Sequence, residues 1–194
     1  IPFISTMRRL HAPYGVYSVM GNHDYCDYSA WPSMSDNVAD EDNLKRMEAE
    51  ADLTMLNNSF SWIRSGSDSI ALIGVENIGD PPFRVYGDLS EAYPDIADDN
   101  VKILLSHNPA HWQDDIEDNI DTNVALTLSG HTHAMQIELM GWSPAMFRYR
   151  YWGGLYSDTK GQKLYVNIGA GTVGMPFRIG ATPEITLFTL RPKK

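Results

Sequence analysis

Val124-Ala125-Leu126-Thr127-Leu128-Ser129-Gly130-His131-Thr132-His133 joins a short β-rich apolar run to two histidines one residue apart. The same construction occurs twice earlier in the chain. Val16 to Met20 runs into Gly21-Asn22-His23-Asp24, and Val101 to Leu105 runs into Ser106-His107-Asn108-Pro109. Apolar runs of this length, bounded by turn residues, read as buried strands. Loops at strand ends are where a rigid scaffold presents its chemistry. The three strings therefore predict one site assembled from strand-end loops.

Outward from these strings the order is mixed. Residues 38–53 predict a helix, with Asn37 as its cap, acidic residues at its start, and Leu44, Met47 and Ala51 on one face. Residues 59–64 and 69–75 predict a hairpin around Ser65-Gly66-Ser67-Asp68. Asp80-Pro81-Pro82 breaks the chain, and a short helix is expected near 88–97, weakened by Pro94. Pro109 can start a helix reaching about Asp118. Met135 to Leu139, Lys163 to Ile168 and Glu184 to Leu190 predict further strands, and 141–161, rich in Gly, Trp and Tyr, an ordered loop. Strand–helix–strand units alternating with hairpins argue for layered sheets flanked by helices.

The chain has 194 residues, enough for one domain with a real core. Its formal charge of -10 opposes binding to nucleic-acid phosphates or to anionic lipid through counterion release. The acid clusters 95–99 and 114–121 read as solvated helix ends and loops. Cys26 stands alone, so it makes no internal disulfide, and nothing in its surroundings marks it as a nucleophile. No apolar run is long enough to span a bilayer, and none reads as a signal peptide. The opening Ile1-Pro2-Phe3, without a methionine, suggests a processed product or an excised fragment.

The residue types in the three strings suit metal chemistry. Imidazole and amide oxygen fit Mn, Zn or Fe(II), so Asn22, His107, His131 and His133 are candidate ligands. On an extended segment, His131 and His133 would point to the same side. The glycines before Asn22 and His131 allow the backbone to approach an ion closely. Other features read differently. His11 and His111 are expected to be ordinary hydrogen-bonded histidines. Gly169, Gly171 and Gly174 match a dinucleotide fingerprint in spacing, but Pro176 and Pro183 oppose the helix it needs, so a tight loop is expected. Arg178 is a candidate for gripping a substrate phosphate with its bidentate fork, or for a structural ion pair. Trp142, Trp152, Tyr149 and Tyr151 either wall an apolar substrate site or pack beneath the long loop.

Taken in order, Gly21-Asn22-His23-Asp24-Tyr25, Ser106-His107-Asn108-Pro109 and Ser129-Gly130-His131-Thr132-His133 resemble the calcineurin-like metallophosphoesterases, closest to a bacterial, phosphodiesterase-like branch. The tail from Gly169 through Thr186 resembles that family's closing strands. The resemblance implies an α/β fold of the metallophosphoesterase α/β/β/α sandwich type. It implies two divalent ions (Mn, Zn or Fe) activating a bridging hydroxide to hydrolyse a phosphoric ester, a diester rather than a monoester. Asn22, His107 and His131 would ligate the second ion and His133 the first. His23, oriented by Asp24, would serve the leaving group as general acid or charge stabiliser.

The family also begins with an Asp-x-His string and a Gly-Asp string, neither of which precedes Gly21; Gly79-Asp80 and Gly87-Asp88 come after it. Residues 1–194 are therefore expected to be the C-terminal portion of a single metallophosphoesterase domain, incomplete at the N-terminus. The alternative is a metal-binding module, or a fragment, without catalysis. A hydrolase of another metal-dependent fold fits less well, since Met135 stands where a metallo-β-lactamase pattern wants Asp. The implied substrate is a small phosphoester or a lipid or cell-envelope one, with no nucleic-acid partner. Membrane association would come only through an upstream segment, and the compartment is not given.

Overall fold

Each motif string follows a strand, and the strand ends converge. The structure, a computed structural model, describes residues 2–25, 28, 32–79, 84–119 and 121–191. Cys26 and the Asp80-Pro81-Pro82 break lie outside the described residues.

After a short helix α1 (Pro2–Met7), β1 (Val16–Ser18) pairs in parallel with β2 (Leu53–Met55) through the crossover helix α2 (Met34–Glu50). A second sheet holds β3 (Ser59–Ser65), β4 (Asp68–Gly74), β5 (Lys102–Leu105), β6 (Leu126–Ser129), β7 (Gly154–Ser157) and β8 (Lys163–Val166), in the order β3-β4-β5-β6-β8-β7. Its centre, β4 through β8, is parallel, and the edge strands β3 and β7 are antiparallel to their neighbours. The parallel strands thus end at one edge, where loops carry chemistry in open α/β sheets.

The register decides which face holds the core. Ala71, Ile73, Leu104, Leu164 and Val166 share one face, closed over by Tyr93, Trp112, Ile116 and Val124. This face is covered by α3 (Leu89–Ala92) and the turn Trp112–Ile116. Gly74 belongs to the opposite face, where a Cβ would lie 2.3 Å from Leu56 Cβ and 2.9 Å from Val19 Cγ1. That close approach is how the two-stranded sheet reaches the six-stranded one. The result is mixed α/β: a central sheet with helices on its flanks.

Several local expectations are corrected. Ser33, not Asn37, caps α2 by accepting from the Asp36 amide, so the helix starts earlier; Asn37 lies inside it and donates to Tyr25 O at 3.1 Å. The helix after Asp88 stops at Ala92, whereas helical backbone follows Pro109 as expected, from residue 110 to Ile116, with π-type bonding over Trp112–Ile116. Met135 to Leu139 is not a strand. Residues 133–136 form a tight turn with positive φ, and only the isolated bridges Ile137–Ile179 and Leu139–Trp142 follow. Within 141–161 lies the edge strand β7, hidden by its glycines. Glu184 to Leu190 makes no ladder, although Glu184, Thr186 and Phe188 in alternation meet Tyr165 and Asn167.

Lys102 is fully buried in the core face, and its ammonium meets Asp98 at 2.6 Å and the carbonyls of Asp98 and Asn100. Burial pushes Asp98 up, but hydrogen bonds from Lys102, Tyr93 and Asn100 outweigh it and hold the carboxyl well below the usual range. A carboxylate depressed in the fold contributes stability that is present above its unfolded pKa of about 3.9 and is lost as pH falls through the lower folded value. Urea unfolding followed below about pH 4 should show the wild type losing stability as pH falls, and Asp98→Asn losing less over the same interval.

Candidate metal centre

Backbone pairing continues past the strand ends and fixes the motif loops. Ser106 N donates to Leu128 O (3.1 Å), Gly130 N to His107 O (3.0 Å) and Asn167 N to Ser129 O (2.8 Å). On this frame three atoms meet. His107 Nε2 lies 2.8 Å from Asn22 Oδ1, His131 Nδ1 lies 3.0 Å from the same oxygen, and the two ring nitrogens are 3.2 Å apart. Asn22 comes from the loop after β1, and His107 and His131 from those after β5 and β6.

The neighbours orient this trio. Asn22 Nδ2 donates to Tyr28 OH at 2.6 Å, which turns Oδ1 toward the histidines. Tyr149 OH stands 3.3 Å from His131 Nε2; when Nε2 carries the ring proton and donates it there, Nδ1 keeps its lone pair for the trio. Burial first, then the charges of His131, His133 and His23, push His107 down to about 3, so its ring is neutral at pH 7. At Gly21 a Cβ would lie 2.8 Å from the His107 ring, so the loop approaches His107 only because residue 21 has no side chain.

His131 and His133 do not lie on an extended segment. His131 has φ 70° and His133 φ 51°, and left-handed backbone continues through Gln136. Such conformations persist where surroundings over-determine them. Here Thr132 Oγ1 donates to Trp152 O (2.6 Å) and Ser143 Oγ to Ala134 O (2.7 Å). Gln136 Nε2 donates to Met175 O and Phe177 O, while its Oε1 accepts from Val173 N.

His133 stands apart from the trio. Its Nδ1 accepts from Arg178 Nη2 at 3.1 Å, which leaves the proton of a neutral ring on Nε2. Arg178 also donates to the carbonyls of Ile168, Gly171 and Ala181. Its partners are therefore backbone oxygens and an imidazole, and it ties the 168–181 loop rather than lining the cleft. No helix opens after Gly169, consistent with the loop expected there.

His23 is exposed and stacks on Tyr28, with ring centroids 4.5 Å apart. Asp24 Oδ2 accepts from the Gly21 amide at 2.7 Å and closes the turn. Burial raises the Asp24 carboxyl above its ordinary value, opposed by that amide and by the charge of His23. The trio, His23, His133, Tyr28 and Tyr149 border a cleft of about 390 Å³ whose other wall includes Met135, Val173 and Met175.

The four aromatic residues of the long loop divide. Trp152 packs on Ala134, Ile168 and Ala181, and Tyr151 meets Trp112 edge-on. Tyr149 borders the cleft, and Trp142 is exposed. Ser106, His111 and Asp115 stand in a string: Ser106 Oγ hydrogen-bonds with His111 Nδ1 at 2.9 Å, and an Asp115 carboxylate oxygen lies 3.2 Å from His111 Nε2. Ser106 and His111 are buried and border no cavity described, so this string supports the loop that carries His107 and offers no nucleophile.

Among the described residues no cluster of three or more His, Cys, Asp or Glu forms a metal site. The trio is two imidazoles and an amide, and its spacing tests the fit of an ion. Ligands held at about 2.1 Å and at right angles stand about 3 Å apart, close to the 2.8–3.2 Å seen here. Donor type and spacing both fit one divalent ion.

The chain belongs to the calcineurin-like phosphoesterase family, whose model matches residues 2–135, a span containing all three strings. Members of this family use divalent metal ions. Among its relatives is the uncharacterised metallophosphoesterase YkuE of Bacillus subtilis (strain 168), 31% identical over 194 residues, covering 97% of this chain and 60% of the relative. A transmembrane protein with metallophosphoesterase domain from Bos taurus is 30% identical over 193 residues, covering 97% and 41%. An uncharacterised metallophosphoesterase of Aquifex aeolicus (strain VF5) is 26% identical over 187 residues, covering 96% and 65%. The chain thus spans between 41 and 65% of the lengths of these relatives.

Tyr28 was not among the candidates from sequence, and Tyr149 was read there only as a wall or packing residue of the long loop; no spacing rule links either to the strings. Outer partners of metal ligands typically influence affinity by about 10–100-fold. Tyr28→Phe, which removes the acceptor for Asn22 Nδ2, should weaken Mn²⁺ binding by about tenfold in a calorimetric titration while the melting temperature of the metal-free protein stays put.

Proposed function

We propose that this protein is a metal-dependent phosphoric ester hydrolase, acting on a diester rather than a monoester, with Asn22, His107 and His131 holding one divalent ion. The observation that supports this most is the convergence of an amide oxygen and two imidazole nitrogens on one point at the cleft. Bound ions of this kind supply Lewis acidity and a water of lowered pKa, two together in the complete site. Asn22 is set by Tyr28 and His131 by Tyr149, so the ligand lone pairs are aimed before an ion arrives. His23, at the exposed side of the cleft, is positioned to give a proton to a leaving-group oxygen. Asp24 fixes the turn that presents it. The diester preference rests on the likeness of the strings to the phosphodiesterase-like branch.

A metal-binding module without turnover is the second reading, favoured by the engagement of His133 with Arg178. Mn²⁺-dependent hydrolysis of a chromogenic phosphodiester and of the matching monoester separates the two. It should be measured on this chain and on the full gene product, with Mn²⁺ binding followed in parallel. Faster diester turnover that chelation abolishes is the expected result. Metal uptake with no turnover by either protein would replace the hydrolase with the module.

A further inference from the structure

The cleft beside the trio has two unlike walls. One carries the ring and amide atoms of the trio. The other carries the side chains of Met135, Val173 and Met175, which are 39%, 42% and 45% exposed. This second wall is built before any ligand arrives. Buried Gln136 donates to Met175 O and Phe177 O and accepts from Val173 N, so it sets the backbone that carries Val173 and Met175. Arg178 ties the same loop from its other side through the carbonyls of Ile168, Gly171 and Ala181.

The polar groups bordering the cleft are largely spent on the protein itself. Besides Gln136, Thr132 Oγ1 donates to Trp152 O, Asn22 Nδ2 donates to Tyr28 OH, and His133 Nδ1 accepts from Arg178. Among the described residues, no Lys, Arg, Asp or Glu borders the cleft. A ligand bringing a second anionic group, a sugar or a base would give up water and find few partners in return, which is costly. An alkyl or aryl group gains from the same surroundings, since leaving water for Met and Val side chains is favourable. The size of the cleft ties such a group to this wall. At about 390 Å³ it lies near the small end of ligand pockets, which run ~300–1,000 Å³. A phosphoryl group at the trio therefore leaves the rest of its ester in the same cleft, where the three side chains stand.

We propose that the cleft selects phosphoric esters whose organic group is apolar, an alkyl or aryl group lying on Met135, Val173 and Met175 while the phosphoryl oxygens face the trio. This rests on the metal-dependent reading of the trio and narrows its substrate class. Selection of this kind comes from the area of the organic group taken out of water, together with the lack of partners for a polar one.

The test is calorimetric titration of the Mn²⁺-loaded full gene product with methylphosphonate, hexylphosphonate and carboxyethylphosphonate, which share the phosphoryl oxygens and differ in the organic group. Hexylphosphonate should bind about tenfold or more tighter than methylphosphonate, and carboxyethylphosphonate no tighter than methylphosphonate. The double variant Val173→Asn/Met175→Gln should bring the hexyl-to-methyl ratio close to one. Both side chains are exposed, so the variant should melt with the wild type. Equal binding of the hexyl and methyl compounds overturns the proposal, as does tightest binding of the carboxyethyl compound or a variant that keeps the hexyl preference. Hexyl binding that survives chelation of the metal also overturns it, because the chain is then held on some other apolar surface. If no phosphonate binds, the proposal falls, and a parallel Mn²⁺ titration shows whether the metal centre falls with it. Turnover of the chromogenic esters is read separately, so failure of the hydrolase reading and failure of apolar selection give different results.

Discussion

His131→Ala is expected to abolish metal-dependent hydrolysis by the full gene product while leaving the fold standing. His131 places Nδ1 3.0 Å from Asn22 Oδ1 and 3.2 Å from His107 Nε2, so its loss opens one corner of the trio. Removal of outer partners of metal ligands lowers affinity or activity by about 10–100-fold, and a ligand itself should count for more. The structural penalty is smaller. Histidine and alanine both carry a Cβ, so the left-handed φ of 70° strains both, with histidine the better tolerated. The ring is partly exposed, so its loss leaves no deep core cavity. His131→Asn, which tolerates the same backbone and keeps a polar group, serves as the folding control. Hydrolysis near the wild-type rate in a folded His131→Ala protein would remove His131 from the ligand set.

Trp112→Ala is expected to lower stability by about 3–5 kcal/mol, a large part of the total for a single domain. Trp112 is fully buried, meets Tyr151 edge-on, and closes the core face over β4, β5 and β8. Deleting it removes the largest side chain of that layer and leaves a cavity the neighbours only partly fill. Its indole Nε1 has no hydrogen-bond partner, so the loss is one of packing and not of a polar contact. Urea unfolding reads the effect. A loss below about 1 kcal/mol would mean the layer re-packs, and would place the core elsewhere.

What was legible in the sequence follows from range of interaction. The strands before the three strings are short apolar runs whose burial dictates their residue types, and β1, β5 and β6 lie where those runs lie, within two residues at each end. The hairpin of β3 and β4 has its turn at Gly66-Ser67 as expected. Family membership was legible because three strings in a fixed order carry it. The disposition of His131 and His133 was not, since alternation assumes extended backbone, and Thr132, Ser143 and Gln136 hold this stretch left-handed through contacts with distant residues. The placement of Tyr28 beside Asn22 and of Tyr149 beside His131 escaped notice for a related reason: each reaches its partner from an irregular loop. Arg178 had the right chemistry for a phosphate, but the fold surrounds it with carbonyls.

Asn22 belongs to a loop of the two-stranded sheet, and His107 and His131, 85 and 109 residues further along, belong to the six-stranded one. An ion held by all three is therefore a clasp between halves of the fold that also meet where Gly74 lies against Leu56 and where Tyr25 bonds Glu76 and Asn77 and stacks on Tyr86. Occupancy and cohesion rise together: an ion at one hundred times its dissociation constant adds about 2.7 kcal/mol to the folded state. Chelation would then loosen the seam between the sheets, so protease resistance of the β1–α2–β2 half becomes a gauge of how full the centre is.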